Sequence, residues 1–238
     1  MGPAAMGLAE LLAKGQVWRG LDLAVAARPG LPSGFAELDA CLPGGGWPRG
    51  ALTELLLEGC GFGEFSLLMP LLRDLCAKDL PVALVAPPWL PYGPALAQAG
   101  LRLERLVILE RPERPLALGE QLLRSGGFSL LMVWLTAPPP AAALRRLQVA
   151  LESEDALVIL MRPASHAHLS SPAPLRLQLS PLAAPAGGLC LRVLKRRGAP
   201  LNDPLHLVLP RPGRACHAVS RPVFSPAAPG VPVLSPVA

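Results

Sequence analysis

From residue 52 to residue 161 the chain alternates short apolar runs with stretches of helical periodicity, and this alternation is the tightest constraint on its fold. Strand candidates lie at 52–57, 81–86, 105–109, 128–135 and 156–161; helix candidates lie at 35–41, 66–78, 93–99, 116–124 and 141–152. Such alternation builds a largely parallel sheet covered by helices on both faces. The runs Val82-Ala-Leu-Val85, Ser129-Leu-Leu-Met-Val-Trp134 and Leu157-Val-Ile-Leu160 are apolar on both sides, as central parallel strands are. After residue 175 the pattern changes. Leu175-Arg-Leu-Gln-Leu179 and Leu189-Cys-Leu-Arg-Val-Leu194 alternate in polarity, with Gly187-Gly188 in the turn between them and one more run at 205–209. These late strands are expected to be antiparallel and half-exposed.

The ends read differently from the middle. Leu8, Leu11, Leu12 and Trp18 can share one face of an N-terminal helix, and Ala26 to Pro32, with two prolines and a glycine, reads as a linker. From Arg211 onward the chain is rich in proline, alanine, serine and valine, and Ser225 to Ala238 carries no charged side chain, which predicts a tail that is extended or disordered when alone. The organisation expected is therefore residues 1–30 as N-terminal helix and linker, 31–210 as the core, and 211–238 as a proline-rich tail.

One segment points to a chemistry and then departs from it. The run Leu52 to Leu57, the loop Glu58-Gly-Cys-Gly-Phe-Gly-Glu-Phe65 and the helical stretch Ser66 to Lys78 form a strand, a glycine loop and a helix, with Pro70 expected in the first helical turn. That is the setting of a phosphate-binding loop of pattern Gly-x-x-x-x-Gly-Lys-Ser/Thr. Gly63 keeps the second glycine, but Glu58 replaces the first, Glu64 replaces the lysine and Phe65 replaces the magnesium-binding hydroxyl. A carboxylate where an ammonium should meet the phosphates repels them. Glu64 also suits the first turn of the following helix, where the N-terminal dipole favours an acidic residue.

Composition bounds the remaining possibilities. Half of the residues (51%) are hydrophobic, so a sizeable core can form, and a net charge of +5 permits an acidic or nucleic-acid partner without requiring one. Five scattered cysteines without a Cys-x-x-Cys pair suit reduced thiols, and the N-terminus lacks the pattern of a signal peptide, so a cytoplasmic protein is expected. His166 and His168 have no cysteine nearby, so no metal site is expected. Two uncharged runs, 80–101 and 125–144, are long enough to suggest membrane spans, but their prolines would break a spanning helix, and both read as buried strand plus loop.

The same residues carry a resemblance. Pro32-Ser-Gly-Phe-Ala-Glu-Leu-Asp39 followed by Gly44-Gly-Gly-Trp-Pro-Arg-Gly50 resembles the segment that leads into the RecA core, and Leu194-Lys-Arg-Arg-Gly-Ala-Pro200 resembles RecA's late Lys-x-Lys strand end. The block Leu42-Pro-Gly-Gly-Gly-Trp-Pro-Arg-Gly50, then Gly63-Glu64, Pro87-Pro88, Pro91-Tyr92, Ala95-Leu96, Ala99-Gly100, Arg145-Arg146-Leu147-Gln148 and Ser171-Pro172 to Leu175-Arg176-Leu177 resemble, in that order, the ImuA family. That family comprises RecA-like, also termed SulA-like, accessory proteins of bacterial damage-induced mutagenesis. The resemblance spans about residues 7 to 210.

The resemblance implies a RecA-like core with an N-terminal helix and late antiparallel strands. It puts Pro88 where RecA has its general-base glutamate and Trp134, with Leu135 and Thr136, where the strand end should carry the magnesium-linked aspartate. Proline cannot activate water, and an indole cannot hold magnesium. A non-catalytic protein without nucleotide or other cofactor is therefore expected. Lys195 and Arg197 match RecA residues that reach a neighbouring subunit's nucleotide, and the N-terminal helix occupies the place of the element through which RecA subunits join. The partners implied are ImuB, which resembles Y-family polymerases, and an error-prone DNA polymerase, within the SOS response and translesion synthesis; mimicry of a RecA subunit adds RecA as an expected partner. The two segments that would correspond to DNA-binding loops, 136–141 and 162–174, are short, and Arg162 is their only full charge, so DNA contact is expected to be weak or indirect. Two alternatives stay open: a SulA-like cell-division inhibitor that binds FtsZ, and a protein with residual ATP binding that takes a lysine from elsewhere.

Overall fold

The computed structural model describes residues 28–210; the expected helix with Leu8, Leu11, Leu12 and Trp18, and the tail from Arg211, lie outside the described residues. The described region is an α/β fold with one eight-stranded, mostly parallel mixed sheet. The strands are β1 (Ala51–Leu57), β2 (Val82–Val85), β3 (Leu106–Leu109), β4 (Leu130–Trp134), β5 (Leu157–Pro163), β6 (Leu175–Pro181), β7 (Gly188–Lys195) and β8 (Leu205–Val208). Their order is β3-β2-β4-β5-β1-β6-β7-β8. Pairing is parallel from β3 to β6 and antiparallel at β6–β7 and β7–β8.

Five helices cover the sheet: α1 (Ala36–Cys41), α2 (Glu64–Ala77), α3 (Gly93–Gln98), α4 (Pro115–Arg124) and α5 (Ala141–Glu152). Alternate residues of the central strands β1, β2, β4 and β5 supply two separate cores. Leu55, Leu57, Met132, Ile159 and Met161 pack with Leu67, Leu68, Leu71 and Leu75 of α2 on one face. Leu52, Leu131, Val133, Val158 and Leu160 pack with Leu116 and Leu123 of α4 and Leu144, Leu147 and Leu151 of α5 on the other. All seven residues of β1 and the first six of β5 are buried, which is why both segments carry long apolar runs. Among the described residues no helix is long and apolar enough to cross a membrane, and the 80–101 run resolves into β2, a proline loop and α3.

Two expectations need correction. β6 is parallel to its neighbour β1 and antiparallel only to β7, and it is largely buried. Its alternation arises because Arg176 is buried against an internal carboxylate, not because one face meets solvent. Pro70 lies in the second turn of α2, since the helix starts at Glu64 rather than Ser66. The proline removes an amide that would have bonded to the Ser66 carbonyl. Its ring instead closes against the lead-in segment: a Cβ on Gly34, which sits at φ +85°, would lie 2.4 Å from Pro70 Cβ.

The lead-in segment docks by backbone contact. Leu31 and Trp47 exchange N–H···O bonds of 2.8 and 2.7 Å, and the Trp47 ring is fully buried. Ser33 N–H donates to Asp39 Oδ1 at 2.8 Å, which ties the turn to α1. The glycines between them permit this approach. A Cβ on Gly46 would lie 2.2 Å from the Leu31 carbonyl oxygen, whereas one on Gly45 would meet nothing within 4 Å. Gly46→Ala should therefore lower unfolding free energy by more than about 2 kcal/mol, and Gly45→Ala by about 1 kcal/mol, the cost of its positive φ alone. Urea denaturation of the two variants checks this, and equal losses would refute the close-contact account.

Candidate functional site

The glycine loop leaves the carboxyl end of β1 in the middle of the sheet, where parallel α/β sheets hold their ligands. Its backbone N–H groups form a concave cradle of the kind that binds anions. Here the anion is the chain's own. The Glu64 carboxylate, 5% exposed, accepts the N–H of Gly61 at 2.6 Å through Oε1 and the N–H groups of Phe62 and Gly63 at 3.1 Å each through Oε2. It also sits in the first turn of α2, where the helix dipole stabilises it. Gly63, at φ +133°, makes the turn that aims these donors inward. Glu58 is exposed and contributes only its backbone, donating to the Leu179 carbonyl at 3.3 Å. Cys60 is exposed in the loop, and partial burial together with the nearby Glu64 charge raises its thiol pKa, which disfavours the thiolate.

The structure brings the other altered positions to the same place. Phe65 and Trp134 stack with ring centroids 6.0 Å apart and planes 17° from parallel. Glu64, Phe65, Pro88 and Trp134 line a single apolar crevice of about 230 Å³ between α2, the end of β4 and the loop after β2. The two side chains that would jointly hold a magnesium ion under the resemblance are thus joined by an aromatic contact instead. A nucleotide phosphate does not fit these residues: its cradle is filled by a carboxylate, and the metal-holding pair is two aromatic rings. Among the described residues no group of three or more histidine, cysteine or acidic side chains could hold a metal ion.

Lys195 and Arg197 are elsewhere. Lys195 pairs in register with Arg176, and Arg176 with Glu54 of β1, so Lys195 lies roughly 13 Å behind the glycine loop along the strands. It donates to the Ser171 carbonyl at 2.9 Å, and burial, reinforced by the Arg176 charge, lowers its pKa. Arg197 is exposed at the same end and has no ion-pair partner among the described residues. Between them, Arg196 donates to the Cys41 carbonyl at 2.5 Å and binds the end of β7 to α1. Neither Lys195 nor Arg197 meets the loop that the sequence marks as the nucleotide position.

Sequence reasoning missed a buried charge cluster beneath the site. Glu54, fully buried in β1, accepts Arg162 Nη1 at 2.7 Å and Ser171 Oγ at 2.6 Å on one oxygen, and Arg176 Nε at 2.8 Å on the other. Arg176 also donates to the carbonyls of His166 and Ala167 at 3.2 Å. The segment 164–173 is thereby fastened over one face of the sheet, with Ala173 fully buried. Arg162, the sole full charge of segment 162–174, is consumed inside the protein. Burial, with the Arg162 charge beside it, lowers the pKa of His166. The signal was present: an acidic residue inside a strand buried on both faces needs a cationic partner, and Arg162 and Arg176 interrupt two other apolar strands.

No protein-family model matches the chain, and a search of curated proteins returns no match.

Two substitutions test these assignments. Glu54→Ala strands two buried guanidinium groups and should cost about 3–5 kcal/mol in denaturant unfolding, more than removal of any exposed ion pair. A loss below about 1 kcal/mol would mean that the cluster is not closed as described. Glu64→Ala leaves three loop donors without an acceptor and should cost about 1–3 kcal/mol. It should also open the cradle, so that sulfate raises its melting temperature more than that of the parent chain at matched ionic strength. An equal response to sulfate would show that the loop is not an anion cradle.

Proposed function

We propose that this protein is a non-catalytic, RecA-like accessory protein of the bacterial damage-induced mutagenesis complex. It acts through protein–protein contact with a Y-family-polymerase-like partner of the ImuB kind, with an error-prone polymerase and with RecA. The observation that carries the reading is the convergence of Glu64, Phe65, Pro88 and Trp134 on one crevice at the end of the sheet where a nucleotide would sit. Each replaces a residue that nucleotide chemistry needs under the resemblance, and the Glu64 carboxylate already takes the donors of the loop.

The order of elements supports the RecA-like part of the reading. A central strand leads into a glycine loop and helix, parallel strands follow, and an antiparallel extension closes the sheet. The block 42–50, the most specific part of the ImuA resemblance, is used to dock the lead-in segment and bury Trp47, so its presence reflects the architecture rather than catalysis. Lys195 and Arg197 are too far from their own loop to complete it, which favours a role toward a neighbouring molecule. Mimicry follows as the mechanism: the core offers a RecA-like surface without the nucleotide cycle that would regulate it.

Calorimetric titration with magnesium-ATP, of the full chain alone and in the presence of RecA, tests both halves. The expected result is no heat from the chain alone and a changed ATP affinity of RecA when the chain is present. Micromolar binding by the chain alone would overturn the non-catalytic reading, and an unaltered RecA titration would remove RecA from the partners.

A further inference from the structure

The crevice beside the glycine loop is more than the remnant of a site, because its rim is apolar, aromatic and exposed. Trp89, Leu90 and Tyr92 are 78%, 64% and 72% exposed on a segment whose Pro87, Pro88 and Pro91 restrict its backbone. Tyr92 and Trp134 line the cavity itself, with Phe65 and Leu96. The one carboxylate at its edge, Glu64, is occupied by backbone donors. An uncovered cluster of this kind on a stiff support marks a docking surface for an uncharged ligand.

The chain itself carries a ligand of the matching kind, and it leaves the folded body beside the crevice. Leu209 is buried and hydrogen-bonded to the Gly187 carbonyl at 3.1 Å. Its Cδ1 would stand 2.5 Å from a Cβ on Gly63, the residue directly before Glu64 and Phe65. The tail therefore follows a residue packed on the glycine loop, whose Gly61, Glu64 and Phe65 line the crevice. Its sequence from Pro222 to Ala238 has no charged side chain, and Pro226, Pro229 and Pro232 recur every third residue. Three residues per turn is the period of the polyproline II helix, so these prolines fall on one face, and such faces dock in aromatic-lined grooves.

We propose that the groove formed by Phe65, Trp134, Trp89 and Tyr92 is a polyproline-docking site whose occupant is the chain's own tail, residues 222–238. The eleven residues from 211 to 221 supply a tether of roughly 30 Å or more when extended, ample for a groove at the point of departure. A tether of that length holds the tail at an effective concentration on the order of millimolar, so even a weak groove is filled intramolecularly. The proposal is independent of the function proposed above, because its test reads the contact itself and no partner.

The experiment uses the full chain with 5-fluorotryptophan and follows its fluorine resonances, with Trp89 assigned by Trp89→Phe. The parent chain is compared with a full-length Pro226→Asp, Pro229→Asp, Pro232→Asp variant, whose changes lie outside the core. The expected result is a Trp89 resonance that is shielded from solvent in the parent and moves to the solvent-exposed position in the variant. The resonance of Trp47, fully buried, stays put and reports an intact core. A Trp89 resonance that is solvent-exposed in both chains would overturn the proposal. So would a Trp89 shift that fades on hundredfold dilution, since that would assign the tail to a second copy of the chain.

Discussion

A single carboxylate in the middle of the sheet ties together three neighbouring strands. Glu54 on β1 receives Arg162 from β5 and Arg176 from β6, with Ser171 completing its coordination. A charge buried this deeply is tolerable only with its partners in place. The cluster therefore specifies register: slipping β1 by one residue would turn Glu54 into the apolar core under α2 and leave both guanidinium groups unpaired. It also decides what the segment after β5 can do. The stretch is folded down on the sheet, with its arginine turned inward.

The glycine loop repeats the tactic on a smaller scale. Backbone donors that would otherwise need an external anion are satisfied by Glu64. An external phosphate stabilises a loop only in proportion to its concentration. A carboxylate built into the first turn of α2 does so permanently, and the loop becomes part of the folded state. The same side chain favours the start of the helix, which explains why α2 begins at Glu64, two residues earlier than apolar periodicity suggests.

Most of the architecture was legible because buried parallel strands announce themselves as apolar runs. Val82 to Val85 and Leu157 to Leu160 lie in the interior strands their composition implies. Glu64 and Phe65 were also legible, as departures from a spaced pattern, and Pro88 and Trp134 as positions that the resemblance singles out. Their meeting in one crevice was not, because the loops after β1, β2 and β4 are far apart in sequence and are joined only by strand order. β6 misled for a physical reason: alternation signals a wet face only when the polar residues lack internal partners, and Arg176 has one. The use Glu64 makes of its carboxylate was hidden for a similar reason, since sequence records a charge but not the donors that fold around it.

These contacts also constrain which residues the loop can accept. Glu64, Phe65 and Trp134 form a coupled set: the carboxylate closes the cradle, and the stacked rings fill the space where a hydrated metal ion would require polar ligands. Restoring a lysine at position 64 by itself would remove the acceptor of three N–H groups and set an ammonium against an apolar wall, without phosphate or carboxylate to balance it. Restoring a hydroxyl at position 65 by itself would break the stack and leave Trp134 facing a void. Each single substitution toward the phosphate-binding pattern is thus unfavourable unless the others accompany it. The geometry makes this crevice a stable apolar surface in its own right, available for packing rather than for holding charge.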